Sequence, residues 1–291
     1  MSGFSPDWLA LREPADAAAR SEAGCDPIRR RDGAPLDVVD LGAGTGANLR
    51  YLAPRLGGPQ RWRLVDADPA VLAAAVPALH AWAEAGGVGF AETAGGIRLD
   101  GTGFACEVVL DKADIRTLAG CLPEPGGLLT ASALLDLVSL EWLRTLAERS
   151  ADAGVSVLFA LTYDGRMHCE PAEPGDARVR ALVNRHQRGD KGFGPALGPR
   201  APAAAIETFA ARRYVLRSES TDWRLGPQSA ALQRELLAGW HAAAVESAPD
   251  ERDALDAWLA RRLEHVAEGR SRLVVGHTDI AGWRPVSTGG V

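Results

Sequence analysis

Lysine is almost missing from this chain: Lys112 and Lys191 stand against thirty arginines in 291 residues. With the abundant alanine, that ratio reads as coding bias and points to no partner. Basic residues are in any case outnumbered, 32 to 38, and the formal net charge of -6 argues against a protein that gains affinity by neutralising nucleic-acid phosphates. The basic runs at 29–31, 212–213 and 261–262 are short, as expected of solvated surface. Cysteine is scarce too. Cys25, Cys106, Cys121 and Cys169 lie far apart, with no C-x-x-C pair and no Cys/His spacing suited to zinc, so no metal is expected and the thiols read as free and buried in a reducing compartment. No stretch reaches the roughly 20 apolar residues needed to cross a bilayer. The opening MSGFSPDWLALREPADAAARSEAG lacks a basic segment followed by a long apolar core, so a cytoplasmic protein without a membrane partner is expected.

What is present is a globular balance, 46% hydrophobic and 24% charged residues, with length enough for a sizeable core. Residues 5–22 read as a helix, and residues 1–35 as an N-terminal helical extension outside the sheet. From Leu36 strands and helices alternate: LDVVDL, a glycine turn, a helix over 48–56, then RWRLVDA and a helix from Pro69, a residue suited to a first turn. The glycine-rich segment 86–105 reads as a hairpin or extended loop. Further strands are expected at ACEVVLDKAD (followed by a short helix), at LLTAS and at VSVLFALTY. RRYVLRSES and SRLVVGHTDIAGW then bracket a long helical region over 229–268. Seven strands in this order imply an α/β fold with a doubly wound, mostly parallel sheet and a terminal antiparallel hairpin.

Gly42, Gly44 and Gly46 crowd the turn after the first strand, whose last acid is Asp40. Glycines admit close approach of a ligand to main chain, and a strand-to-helix turn is where open parallel sheets bind nucleotides. DLGAGTG resembles the first motif of class I S-adenosylmethionine-dependent methyltransferases, an acid followed by G-x-G-x-G, and the strand order resembles that family's Rossmann-like fold. The resemblance runs motif by motif over 36–165 and beyond that by strand order alone. It implies S-adenosylmethionine as donor and S-adenosylhomocysteine as product, with Gly42, Ala43 and Gly44 against the ligand and Asp40 facing its ammonium or a bridging water. Asp66, at the end of RWRLVD, would accept from the ribose hydroxyls beside Ala67; Asp68 is the rival for that role. In KADIRTL, Asp114 would accept from the adenine amino group, with the backbone of Ala113 or Ile115 facing the ring, and Ser132 would face the methionyl end. Gly42-x-Gly44-x-x-Ala47 also satisfies a dinucleotide pattern, which leaves a nicotinamide oxidoreductase as the rival enzyme. Asp40 speaks against it, because a pyrophosphate there would meet a like charge. A non-catalytic module binding the same ligand is the third reading.

For the acceptor, residues 164–201 break the alternation after the fifth predicted strand and are expected to form a lid. Asn184, His186, Gln187, Asp190 and Lys191 gather polar groups there beside a Gly-Phe-Gly-Pro turn. His186 is the preferred base, since imidazole titrates near neutrality, with Tyr163 and Asp136 as the other catalytic candidates. His80, His168, His241, His265 and His277 carry weaker claims. Trp8 and Arg12 would close the other side, Arg12 meeting the ligand carboxylate. Charge and lid favour a small-molecule acceptor, a protein side chain staying open, and nothing in the sequence sets the oligomeric state.

Overall fold

Two-residue periodicity in the central strands sends neighbouring side chains to opposite faces, and two apolar clusters result. Val38, Leu64 and Leu128 join the cluster that holds Leu49, Leu52, Leu72 and Leu79, whereas Val39, Val65 and Leu129 join the one that holds Leu143, Leu146 and Phe209. The computed structural model describes residues 5–30 and 33–284; the first four residues and Arg31 of the first basic run lie outside them. The chain runs α1 (Pro6–Ala19), β1 (Leu36–Leu41), α2 (Ala47–Leu56), β2 (Gly58–Asp66), α3 (Pro69–Gly86), β3 (Gly89–Thr93), β4 (Gly96–Gly101) and β5 (Phe104–Lys112). It continues through β6 (Leu128–Ser132), α4 (Leu140–Asp152), β7 (Ser156–Glu170), α5 (Asp176–His186), α6 (Ala201–Ala211), β8 (Val215–Ser220), β9 (Trp223–Leu225), α7 (Ala230–Ser247), α8 (Arg252–Ala267) and β10 (Arg272–Trp283).

One sheet follows the order β3-β4-β5-β2-β1-β6-β7-β10-β8, with β9 paired to β10. The five strands from β5 to β7 are parallel, and β10 returns antiparallel between β7 and β8. The expected doubly wound sheet with its terminal antiparallel hairpin is therefore present. The order reverses between β1 and β6, which opens a crevice at the carboxyl ends of the parallel strands.

The ten strands exceed the seven expected for definite reasons. The glycine-rich segment folds as the β3–β4 hairpin, extending the sheet antiparallel to β5, and β9 is three residues long. Turns replace the short helix expected after β5, and the helical region over 229–268 breaks into α7 and α8 around Pro249. The lid boundary also needs correcting. Residues 164–170 continue β7 and pair with β10 as far as Glu170–Arg272, so the stretch without strand begins after Glu170. Beyond it, Asp176 at the start of α5 accepts from Trp258 Nε1 at 2.8 Å and pairs with the fully buried Arg262, which ties α5 to α8.

Candidate active site

The reversal of strand order places a cavity of about 980 Å³ over the carboxyl ends of the central strands. At one end are Gly42, Gly44, Asp66 and Ala67, and at the other are Asp136, Tyr163, Trp240 and His277. The helix α1 lies across it, bringing Trp8, Leu9 and Arg12 to the wall.

The glycine turn is held from below. Gly42, Gly44 and Gly46 all have positive φ (64°, 57° and 80°), a backbone that glycine adopts without strain. Asp66 Oδ2 accepts from Gly44 N and its Oδ1 from Asp68 N, each at 3.0 Å, so this carboxylate both faces the cavity and braces the turn. Asp68 takes a different part: its Oδ1 accepts from Ala70 N at 2.8 Å, capping α3. Both acids line the cavity, but of the two Asp66 is the one that also binds the glycine turn.

Two residues expected at the ligand lie behind the wall. The amide of Ala43 donates to Val65 O at 3.0 Å and is committed to the sheet. Asp40 is 1% exposed and faces Asn48, whose Nδ2 donates to its Oδ1 at 2.8 Å and to Thr130 Oγ1 at 3.1 Å. Arg20, from the segment after α1, donates to Asn48 Oδ1 at 2.8 Å. Burial pushes the Asp40 carboxyl up to about 7, with Asp66 adding to the rise and Asn48 and Arg20 opposing it. Asp40 supports the turn from inside the core; it does not line the cavity.

The remaining donor-end residues are on the wall. Ala67, Ile115 and Ser132 line it, and Ile115 O accepts from Trp142 Nε1 at 2.8 Å, which fixes the loop after β5. Asp114 sits at an open edge with its carboxylate clasped by Arg116, the Oδ2–Nη2 distance being 2.5 Å. That pairing lowers the Asp114 pKa. Arg12 is on the wall, but its Nε and Nη2 bind Asp16 at 2.9 and 3.1 Å and its guanidinium lies 5.1 Å from the Trp223 ring.

At the acceptor end the candidates separate. His186 lines the cavity with both ring nitrogens engaged: Nε2 is 3.1 Å from Glu246 Oε2 and Nδ1 is 3.4 Å from Lys191 Nζ. An ammonium only donates, so Nδ1 accepts and Nε2 carries the proton toward Glu246. The preferred base therefore has no nitrogen free for a substrate in this arrangement. Asp136 differs: it is 7% exposed, lines the cavity, and its Oδ1, enclosed by protein, has no hydrogen-bond partner. Burial pushes its carboxyl up to about 6, against the backbone amides of Asp136 and Tyr163 and the charge of Arg12. Tyr163 donates its hydroxyl to Asn184 Oδ1 at 2.7 Å, and burial raises its pKa.

His277, given a weaker claim from sequence, is 6% exposed on the wall, its Nδ1 unpartnered, between the rings of Trp223 (5.2 Å) and Tyr163 (6.3 Å). Burial pulls its pKa down to about 3, so the ring is neutral at ordinary pH. Register shifts between β7 and β10 flank the Tyr163–His277 pair, and bulges of this kind re-aim side chains next to functional sites. The sequence signal was the polar trio His277-Thr278-Asp279 inside an otherwise apolar strand. Asp279 answers the bulge between Thr278 and Ile280: its Oδ1 accepts at 2.7 Å from the amide of Leu161, a non-glycine residue at φ 53°. The apolar wall of Leu236, Trp240 and Ala243 from α7 carried no comparable signal. Among the described residues no group of His, Cys, Asp and Glu could hold a metal ion, no helix is long and apolar enough to cross a membrane, and all four cysteines are free and buried.

No known family's sequence model matches the chain, and no curated protein matches it. Solved structures do. A cyclopropane-fatty-acyl-phospholipid synthase-like protein from Lactobacillus casei superposes with a TM-score of 0.54 at 12% identity, over 97% of this chain and 94% of that one. Phosphoethanolamine N-methyltransferase 2 from Haemonchus contortus, in complex with phosphomonomethylethanolamine and S-adenosylhomocysteine, gives 0.41 at 16% identity over 96% of this chain, which spans only 52% of that enzyme's length. The cyclopropane synthase MmaA2 from Mycobacterium tuberculosis gives 0.43 at 11% identity, over 96% of this chain and 100% of that one. The Lactobacillus casei match, taken with the strand order and the cavity at its reversal, shows that this chain shares with that protein a doubly wound, Rossmann-like fold.

Proposed function

We propose that this protein is an S-adenosylmethionine-dependent methyltransferase acting on a small-molecule acceptor. The observation that carries the reading is the continuity of one cavity from the glycine turn and Asp66 to the buried polar cluster of Asp136, Tyr163 and His277. The residues fit the donor. A side chain at Gly44 would come within 3.1 Å of Leu9, so the space over the turn suits main chain pressed against a ligand. Asp66 faces that space with a carboxylate able to accept from ribose hydroxyls, and Ala67 and Ile115 offer apolar surface to a base ring, with Asp114 at the edge. Ser132 and Gly42 are left for the methionyl end. Transfer from a sulfonium is an in-line displacement, so the chain's work is alignment and exclusion of water, with a base only where the acceptor must lose a proton. Neither the nicotinamide oxidoreductase nor the binding module has a particular observation in its favour. The four buried free thiols agree with a cytoplasmic protein.

Titration calorimetry with S-adenosylhomocysteine tests the proposal, with saturable binding the expected result. Asp66→Asn keeps the shape but removes the charge from hydrogen bonds worth about 1.5–3 kcal/mol each, so affinity should fall at least about tenfold. Absence of binding by the native chain, or tight binding of NADH, ends this reading.

A further inference from the structure

The acceptor end of the cavity has a definite chemistry. Its walls are apolar and aromatic, with Trp8 from α1, Leu236 and Trp240 from α7, and Trp223 beside His277. Set into them is one buried carboxylate, Asp136, whose Oδ1 has no partner. A buried carboxylate oxygen without a donor is costly, and a ligand that supplies the donor recovers that cost. The nearby cation does not supply it: Arg12 influences Asp136 by its charge, but two of its nitrogens are bound to Asp16. Indole and phenol faces around a carboxylate form a setting that attracts a cation. An anionic acceptor would meet Asp136 as a like charge.

We propose that the acceptor is a protonated amine carried on an apolar body, and that Asp136 both holds its nitrogen and removes its proton. This rests on the methyltransferase reading above. An ammonium N–H proton passes to the Asp136 carboxylate, leaving the nitrogen lone pair free. That pair forms the new N–C bond to the donor's methyl carbon as the S–C bond breaks, and the S–C electrons stay on sulfur as a neutral thioether. The positive charge ends on the N-methylated product, and Asp136 later gives its proton to water. The charge of Arg12 from α1 and the hydroxyl of Tyr163 from β7 act on Asp136, His277 of β10 lies beside Tyr163, and the other titratable groups lining the cavity on this side are His186 and Lys191, paired with each other, and Glu235 of α7. His277, neutral, lines the same cavity.

The experiment uses the full chain with labelled S-adenosylmethionine and three phenylalkyl series matched in skeleton: amines, alcohols and carboxylic acids. Methyl transfer to amines alone is expected, with kcat/KM rising with pH through about 6, the value to which burial brings Asp136. Asp136→Asn should keep S-adenosylhomocysteine affinity within about twofold and lose at least about 100-fold in kcat, the usual worth of a positioned base. Asp136→Glu should recover part of it. Independently of turnover, a phenylalkylamine added to the S-adenosylhomocysteine complex should raise the Tm of the native chain but not of Asp136→Asn. Failure of S-adenosylhomocysteine to bind removes the methyltransferase reading and this one with it. If it binds, the amine proposal alone is overturned by transfer to alcohols or acids, by wild-type turnover in Asp136→Asn, or by amines that neither accept methyl nor stabilise the complex.

Discussion

At the scale of single residues, the site's acids differ by what surrounds them. Asp66 is braced by two amides and faces the cavity, Asp68 caps a helix, and Asp40 is buried under the turn. Spacing from the glycines singled out Asp40 and Asp66, but whether an acid meets ligand or core depends on packing that the local sequence does not carry. Asp40 gives a sharp test. Its pKa in the folded chain, about 7, lies above the ordinary 3.8, so between these values the unfolded chain releases a proton that the folded chain keeps. Its stabilising contribution is therefore complete below about pH 4 and is lost as pH rises to about 7. Asp40→Asn, which keeps an acceptor for Asn48, lacks this loss. Relative to the variant, the native protein should lose up to about 1.4 kcal/mol per pH unit across that window and nothing further above it. Urea unfolding of both proteins at pH 4, 5.5, 7 and 8 reads the difference. Parallel stabilities would place the folded-state pKa near its ordinary value. His277 works in the opposite direction, its pKa lowered to about 3, but it is common to both proteins and cancels.

At the scale of elements, alternating apolar runs and helix signals disclosed β1, α2, β2, α3, β5 and β6 with nearly correct bounds, because each is built from local pattern alone. The end of β7 was hidden, since Asp164-Gly165 looks like a turn. Gly165 is instead a kink inside a strand, at φ 87°, its carbonyl accepting from Asn184 Nδ2 at 3.0 Å while Asn184 Oδ1 takes the Tyr163 hydroxyl. This single asparagine latches α5 onto β7 beside the cavity. A Cβ on Gly165 would lie 2.7 Å from Pro199 Cβ and 3.2 Å from Asn184 Nδ2, whereas one on Gly154, at φ 65°, would meet nothing within 4 Å. Both alanine variants carry the strain of positive φ, about 1–2 kcal/mol. Gly165→Ala adds a steric clash and loosens the latch. Its Tm should therefore fall several degrees further than that of Gly154→Ala, with a loss of methyl transfer that Gly154→Ala does not share. Equal Tm values in differential scanning would show that the latch is slack.

At the scale of the whole molecule, the cavity is roofed by an element that meets the core only through partly buried side chains, Trp8, Leu11, Ala15 and Ala19. The helix α1 has no fully buried residue, yet Trp8, Leu9 and Arg12 form cavity wall, Leu9 directly over Gly44. Polar links tie it down: Glu13 to Arg50 Nη2 at 2.5 Å, Asp16 to Trp223 Nε1 at 3.0 Å, and Arg20 just beyond it to Asn48. Sequence marked 1–35 as an extension outside the sheet but could not place it across the site, because the contacts join residues 28 to 207 positions apart. A donor lying on the glycine turn touches α1 from below and exchanges few large contacts for a sandwiched ligand. Segments of low local stability open most readily, and ligand that bridges them to the core suppresses the opening. Hydrogen exchange should show amides of α1 exchanging faster than those of α4 in the free protein, then slowing at least about tenfold with saturating S-adenosylhomocysteine. The stretch between α5 and α6, expected as lid, should slow further only when an amine is added as well, since Lys191 and Phe193 line the acceptor side. Slowing of α1 without ligand contact at Asp66, tested in Asp66→Asn, should vanish in proportion to lost affinity. Uniform exchange in α1 with and without ligand would mean that the donor enters and leaves without moving the roof.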